Sequence, residues 1–256
     1  FKSNFYRRLA FDEILASLLI SSQIRRKIKK IKKKIKIFSN KPFMETINKL
    51  NFDLTNDQKK VLNEINCDLI SKSKMFRLLQ GDVGSGKTIV ALISALNVIE
   101  SGYQVAFMAP TEILAQQHYK LAKKIFPEII KLDLLTSKIE DSKKKVIQQK
   151  IFDNDIKIIF GTHSLFQKRL KFSNLGYLII DEQHKFGVKQ RKLLSDKGGV
   201  NCDVLLMTAT PIPRTLAFTL HGDMEISWID EMPQHRIPIK TKIINSKNIK
   251  IVYKHL

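Results

Sequence analysis

The stretch from Gly81 to Thr88, GDVGSGKT, constrains what this chain can fold into more than any other part of it. It fits the pattern GxxxxGK[ST], and it stands between a short apolar run, Met75 to Leu79, and a helical pattern, Ile89 to Glu100. Strand, glycine-rich loop and helix in that order make a phosphate-binding loop. Gly81, Gly84 and Gly86 admit backbone angles closed to other residues, so successive N–H groups can turn inward around a triphosphate at the positive end of the helix. Lys87 is then expected to reach the β- and γ-phosphates, and Thr88 to offer its hydroxyl to Mg2+.

The chain beyond the loop alternates. Strand candidates Gln104 to Ala109, Lys131 to Leu135, Ile156 to Phe160, Leu175 to Ile180 and Asp203 to Met207 are interleaved with helix candidates Glu112 to Ile125, Ser137 to Phe152, Gln190 to Leu194 and Pro213 to Leu220. Alternation of this kind predicts an α/β fold, a parallel sheet with helices on both faces and a ligand at the carboxyl ends of the strands. Polar motifs fall at that edge: Gly81, Ala109-Pro110-Thr111, Gly161-Thr162-His163, Asp181-Glu182 and Thr208-Ala209-Thr210. The apolar strand Leu178-Ile179-Ile180 ends in two carboxylates. In a phosphate-loop protein the first, Asp181, is expected to hold Mg2+ through water, and Glu182 to orient and deprotonate the attacking water. Gln183-His184 behind them and Thr208-Ala209-Thr210 one strand later would let the state of the γ-phosphate be felt elsewhere through hydrogen bonds, as in a motor.

Upstream, Phe52 to Gln58 leads into a helix with Thr55 or Asn56 as its cap, buried through Val61, Leu62, Ile65 and Leu69. Taken alone, Gln58 reads as a surface residue. From Arg8 to about Phe38 the pattern is helical, with Leu9, Ile14, Leu15, Leu18 and Leu19 as one apolar set and Ile24, Ile28, Ile31 and Ile35 continuing it until Lys41-Pro42. Nine Lys or Arg fall among residues 25–36. This stretch predicts either a basic face near nucleic acid or lipid, or a solvated helix whose isoleucine stripe packs on the neighbouring domain.

Charge follows the same division. The first 50 residues hold 14 Lys+Arg and 3 Asp+Glu, a net +11, against net +10 for the remaining 206. Polyanions or anionic lipid are the expected partners. Cys67 and Cys202 lie outside any metal-ligand spacing and read as ordinary thiols of a reducing compartment. Apolar runs of about half a dozen residues fall far short of the roughly 20 needed to cross a bilayer. No signal peptide is visible, so a cytoplasmic protein with no membrane partner is expected. The chain opens at Phe1 without a methionine and stops at Leu256 soon after a strand-like run, Ile237 to Ile244, which suggests a piece of a longer protein.

GDVGSGKT at 81–88, MAPTEILAQQH at 108–118, GTHSLFQ at 161–167, LGYLIIDEQHKFGVKQR at 175–191 and MTATPIPRTLA at 207–217 resemble motifs I, Ia, Ib, II and III of superfamily 2 helicases. Within them the resemblance is to the RecG family of bacterial branch-migrating DNA helicases, from about residue 6 to 244. It implies a RecA-like phosphate-loop NTPase lobe preceded by a basic helical linker, using ATP and Mg2+ on branched, forked or Holliday-junction DNA in recombination and repair.

By residue, the resemblance implies adenine recognition by Gln58 with Phe52 nearby. Phosphate contacts fall to Gly81, Asp82, Val83, Gly84, Ser85, Gly86, Lys87 and Thr88, and metal and water handling to Thr88, Asp181 and Glu182. Coupling falls to Gln183, His184, Thr208 and Thr210. Strand-backbone contacts come from Pro110, Thr111, Glu112, Gln116, Gln117, Thr162 and His163, holding phosphates without reading bases. It also implies three segments: residues 1–50 as the linker behind a missing wedge domain, 51–235 as the ATP-binding lobe, and 236–256 as the start of a missing second lobe. Without that lobe's arginine the chain is expected to bind Mg-ATP and DNA but not to cycle alone. Pro233-Gln234-His235-Arg236 departs from the family, which usually has Gly before the Arg. Two other readings stay open: a lobe of a coupling-factor-like duplex translocase, which usually carries Glu where Gln183 stands, or a non-enzymatic basic DNA-binding module with a relic ATP site.

Overall fold

The computed structural model of the chain describes residues 3–39, 46–47, 50, 52–166, 170–182, 199–210 and 224–233. Helix α1 (Asn4–Lys30) leads, then α2 (Asn56–Ile70), β1 (Phe76–Gly81), α3 (Lys87–Glu100), β2 (Gln104–Met108), α4 (Glu112–Ile125), β3 (Leu132–Leu135), α5 (Asp141–Phe152) and β4 (Ile158–Gly161). A short 3-10 turn (His163–Phe166) precedes β5 (Leu175–Ile180), β6 (Asp203–Thr208) and β7 (Glu225–Ile229). All seven strands pair in parallel, in the order β3-β4-β2-β5-β6-β1-β7.

The central strands are largely apolar because both faces of the sheet are covered. Successive residues of one strand go to opposite cores. Leu79, Phe107, Phe160, Ile179 and Leu205 pack with α2, α3 and α4 on one face, while Leu78, Ala106, Ile159, Ile180 and Leu206 pack with Ile147 and Ile151 of α5 on the other. Helix α3 is buried nearly all round, which is why its sequence, KTIVALISALNVIE, carries so little amphipathic pattern. Helix α2 starts where its capping box puts it: Thr55 Oγ1 accepts from Gln58 N at 3.2 Å, and Gln58 Oε1 accepts from Thr55 N at 3.0 Å.

Two expectations need correction. The helix read from Arg8 to Phe38 runs from Asn4 and ends at Lys30. Beyond it the chain is extended and lies against the α2–β1 connection: Lys33 N donates to Lys72 O, Lys36 N to Leu69 O, and Lys32 bridges Ser73. The ammonium groups of Lys33 and Lys36 both reach Asp203 Oδ2 at 2.6 Å in a fully buried cluster. Long-range bonds here outweigh a helical propensity that is a weak prior. Nor does the isoleucine stripe pack as a unit, since Ile24, Ile31 and Ile35 are exposed. Arg25 and Lys29 pair with Glu225, so four of the nine basic residues serve the lobe itself rather than a solvated face.

The second concerns β7, an edge strand beside β1 that the sequence reading did not include. The expected helices Gln190 to Leu194 and Pro213 to Leu220, the strand Ile237 to Ile244, the segment 236–256, the Lys41-Pro42 stop and Gln234-His235-Arg236 lie outside the described residues. Among the described residues no helix is long and apolar enough to cross a membrane.

Candidate functional site

The site is assembled at the carboxyl edge of the sheet from β1, β6 and β5, which are neighbours there although the chain visits β2, β3 and β4 between them. Each strand delivers one polar group. The glycine loop leaves β1, Thr208 ends β6, and Asp181 follows β5. One strand thus stands between the loop strand and the acidic strand, and Thr208 sits on it.

Within the loop, Gly86 is the N-cap of α3 with φ +88°, a left-handed conformation. A Cβ there would lie 2.3 Å from Gln58 Nε2, and one on Gly81 would lie 2.8 Å from the Ile229 carbonyl of β7. Lys87 folds back into the loop, where its Nζ donates to Gly81 O at 2.7 Å and Asp82 O at 2.8 Å. Burial pushes the Lys87 ammonium below its ordinary value, and the charges of Asp181, Glu182 and Asp82 pull it back up. The two carboxylates are thereby within electrostatic reach of the lysine. Thr88 is half-buried at the first turn of α3.

Gln58, read alone as a surface residue, is buried. Its Nε2 donates to Ser85 O at 2.7 Å, so the α2 capping box also braces the loop. Phe52 is half-buried and lines a cavity of about 490 Å³ with Thr55, Lys59, Glu231, Met232 and Pro233. Asp57 closes one side of this region, because its Oδ2 accepts from Asp230 N and Glu231 N at 2.8 and 2.9 Å.

Asp181 is buried. Its Oδ1 accepts from Glu182 N at 3.1 Å and its Oδ2 meets His118 Nε2 at 2.9 Å. Glu182 has φ +50°, a conformation that costs a non-glycine residue about 1–3 kcal/mol. Thr208 Oγ1 accepts from Thr210 N at 3.1 Å. Gln183 and His184 lie outside the described residues.

The second group of expected residues borders the first. Thr111 caps α4, its Oγ1 accepting from Leu114 N at 3.3 Å, while Pro110 is half-buried and Gln116 and Gln117 are exposed. Thr162 is buried at the start of the 3-10 turn, whose Ser164 Oγ donates to Leu135 O at 2.6 Å. Of His163 the backbone alone is described. Glu112 is engaged within the protein: Oε1 accepts from Ser137 Oγ at 2.6 Å and Oε2 meets Lys138 Nζ at 3.3 Å, holding the β3–α5 loop against α4.

The residue that the motif reading passed over is His118. It falls on the buried face of α4 with Ala115, Ala122 and Ile125, at spacings of three and four. A titratable ring on an otherwise apolar stripe was the available signal.

Residues 55–218 match the family model described as DEAD/DEAH box helicase. The matched span takes in the glycine loop, the acidic pair and the Thr208 turn, and the chain belongs to that family. Its lobe is RecA-like. It is, further, similar to the corresponding part of RecG helicases. The ATP-dependent DNA helicase RecG of Aquifex aeolicus is 45% identical over 256 residues, covering 99% of this chain and 32% of that protein. The protein of the same name from Borreliella burgdorferi is 50% identical over 214 residues, 83% of this chain and 31% of that one. A solved structure of RecG bound to a three-way DNA junction superposes with a TM-score of 0.87 at 40% identity, over 97% of this chain and 34% of that chain. The chain therefore spans about a third of the length of the curated relatives it matches.

Proposed function

We propose that this chain is the first motor lobe of an ATP-dependent helicase that moves branched DNA, residues 51–235 forming the lobe, 1–50 leading into it and 236–256 opening a second. The observation that carries this reading is the convergence on one sheet edge of a buried lysine and two carboxylates that its ammonium feels. The donor set suits a triphosphate. Ser85 Oγ is buried without a hydrogen-bond partner among the described residues, and the Lys87 ammonium is satisfied by backbone carbonyls that phosphate oxygens can replace.

In this reading Gly81 to Thr88 bind the phosphates, Thr88 and Asp181 hold Mg2+, and Glu182 takes a proton from the attacking water. Bound Mg2+ supplies neutralisation of charge on the phosphate oxygens. Gln58 recognises the adenine with Phe52 nearby, and through Ser85 O it also ties that pocket to the loop. Thr208, at the end of the strand between, and Thr210, just beyond it, pass the state of the site onward with Gln183 and His184. Thr111, Gln116, Gln117, Thr162 and His163 hold a DNA backbone; Glu112 contributes by fixing Ser137 and Lys138 rather than by touching phosphate, since two carboxylate oxygens repel one. RecG was solved on a three-way junction, which makes branched DNA the substrate of choice here.

The test is a titration of this chain with ATP and Mg2+ beside Lys87→Ala, followed by hydrolysis with and without a three-way DNA junction. Removing a charge-assisted contact worth about 1.5–3 kcal/mol should weaken nucleotide binding about 10- to 100-fold. Binding by Lys87→Ala as tight as by the parent chain would exclude the loop as the phosphate site.

A further inference from the structure

We propose that His118 is a positioning residue for the nucleotide site, holding Asp181 Oδ2 so that the carboxylate presents a fixed face to the metal; the proposal rests on the reading of Asp181 given above. A carboxylate oxygen can only accept here, so the hydrogen lies on His118 Nε2 and the imidazole donates it across 2.9 Å.

The geometry is over-determined on every side. Oδ1 of Asp181 is held by Glu182 N, and the Asp181 backbone N–H donates to Met108 O at 2.8 Å. The imidazole is fixed in turn: its ring lies 4.7 Å from that of Phe107 at 42°, and Phe107 stacks on Phe160 at 5.3 Å. Both members of the pair are largely buried, so the bond lies in surroundings of lower dielectric than water. Each carboxylate oxygen keeps a lone pair after these contacts, enough to accept from a metal-bound water. With the bond to His118 removed, Oδ2 loses its donor and the contact from Glu182 N to Oδ1 is left to orient the carboxylate, so more of its orientation must be fixed at the moment of metal binding.

The bond also joins two parts of the site that the sequence separates. His118 stands on α4, the helix that carries Thr111 at its cap and, through Glu112, grips Ser137 and Lys138 of the β3–α5 loop. A displacement of Asp181 is thus felt by a rigid helix whose first turn borders the proposed DNA edge. Partners that orient a metal's ligands typically contribute 10- to 100-fold in metal affinity, and that is the scale expected of His118.

The experiment is binding of a non-hydrolysable ATP analogue to this chain across a Mg2+ series, for the parent, His118→Phe, His118→Gln and Asp181→Ala. Phe keeps the ring against Phe107 and removes the donor; Gln places an amide N–H near the position of Nε2. The expected result is that His118→Phe raises the Mg2+ concentration for half-maximal binding at least tenfold and leaves binding without Mg2+ unchanged, and that His118→Gln restores the parent response to within about threefold. A merely structural role would instead lower the melting temperature and weaken binding equally with and without Mg2+, which overturns the proposal. If Asp181→Ala flattens the Mg2+ response and His118→Phe does not, the metal assignment stands and the role of His118 falls. If the parent chain binds the analogue without regard to Mg2+, the reading of Asp181 fails and the proposal goes with it.

Discussion

Replacing Asp203 by alanine removes the single carboxylate that two buried ammonium groups share. Lys33 and Lys36 each lie 2.6 Å from Oδ2 with fully buried side chains, and Oδ1 accepts from Met75 N at 2.7 Å. The carbonyls of Asp68 and Asn201 accept one further hydrogen from each lysine but carry no charge to offset theirs. Breaking a buried ion pair from one side costs about 3–5 kcal/mol, and the orphaned Met75 N–H adds to it. At roughly 2–4 °C per kcal/mol for a chain of this size, the melting temperature should fall by about 10 °C. The extended segment 31–36 should loosen at the same time, while Ser39 on Glu100, Ile37 O on Ser101 and Phe38 against the core still hold its far end. Trypsin, to which Lys33 and Lys36 are closed in the parent, should cut there first. Burial lowers the Lys33 pKa from 10.5, with Asp203 acting against the shift. The unfolded chain therefore binds the extra proton in the window below 10.5, and stability should rise as pH climbs through the folded value. The variant, lacking the opposing carboxylate, should gain more from that climb than the parent. A loss under about 1 kcal/mol at neutral pH, or no new tryptic cleavage within 31–36, would refute the claim that this cluster straps the segment to the lobe.

Two further outcomes follow from local geometry. Gly86→Ala combines a left-handed φ with a Cβ 2.3 Å from Gln58 Nε2, so a loss of about 1–3 kcal/mol is expected in urea denaturation; Gln58→Ala in the same chain should recover the steric part and leave the backbone strain. For Glu225, burial raises the pKa, but hydrogen bonds from Lys29 and Arg25 outweigh it and the net shift is downward from 4.5. Its contribution is therefore present above pH 4.5 and lost as pH falls through the folded value; acid titration of Glu225→Gln should show a shallower decline than the parent there, the more so at low salt.

What the sequence determined by itself is whatever a short window of residues settles. The glycine loop, the strands β1 to β6, the start of α2 to within one residue (Thr55 or Asn56) and the bounds of α4 follow from periodicity, glycine placement and capping, each a matter of neighbours within a few residues. The polar motifs were legible as a set because parallel strands send all their carboxyl ends to one edge. Tertiary structure decided the rest, because the deciding bonds join residues far apart in the chain. Edge strand β7 exists because Glu225 to Ile229 find β1 to pair with, not because their own pattern demands a strand. The helix expected to reach Phe38 stops at Lys30 because Lys33 and Lys36 are drawn to a carboxylate on β6. Gln58 is buried because the loop folds over it, and Glu112 is turned to Ser137 and Lys138. His118 looks like one polar residue on an apolar stripe until β5 brings Asp181 to within 2.9 Å of it. Periodicity can say which face of a helix is buried, but not which group it will meet there.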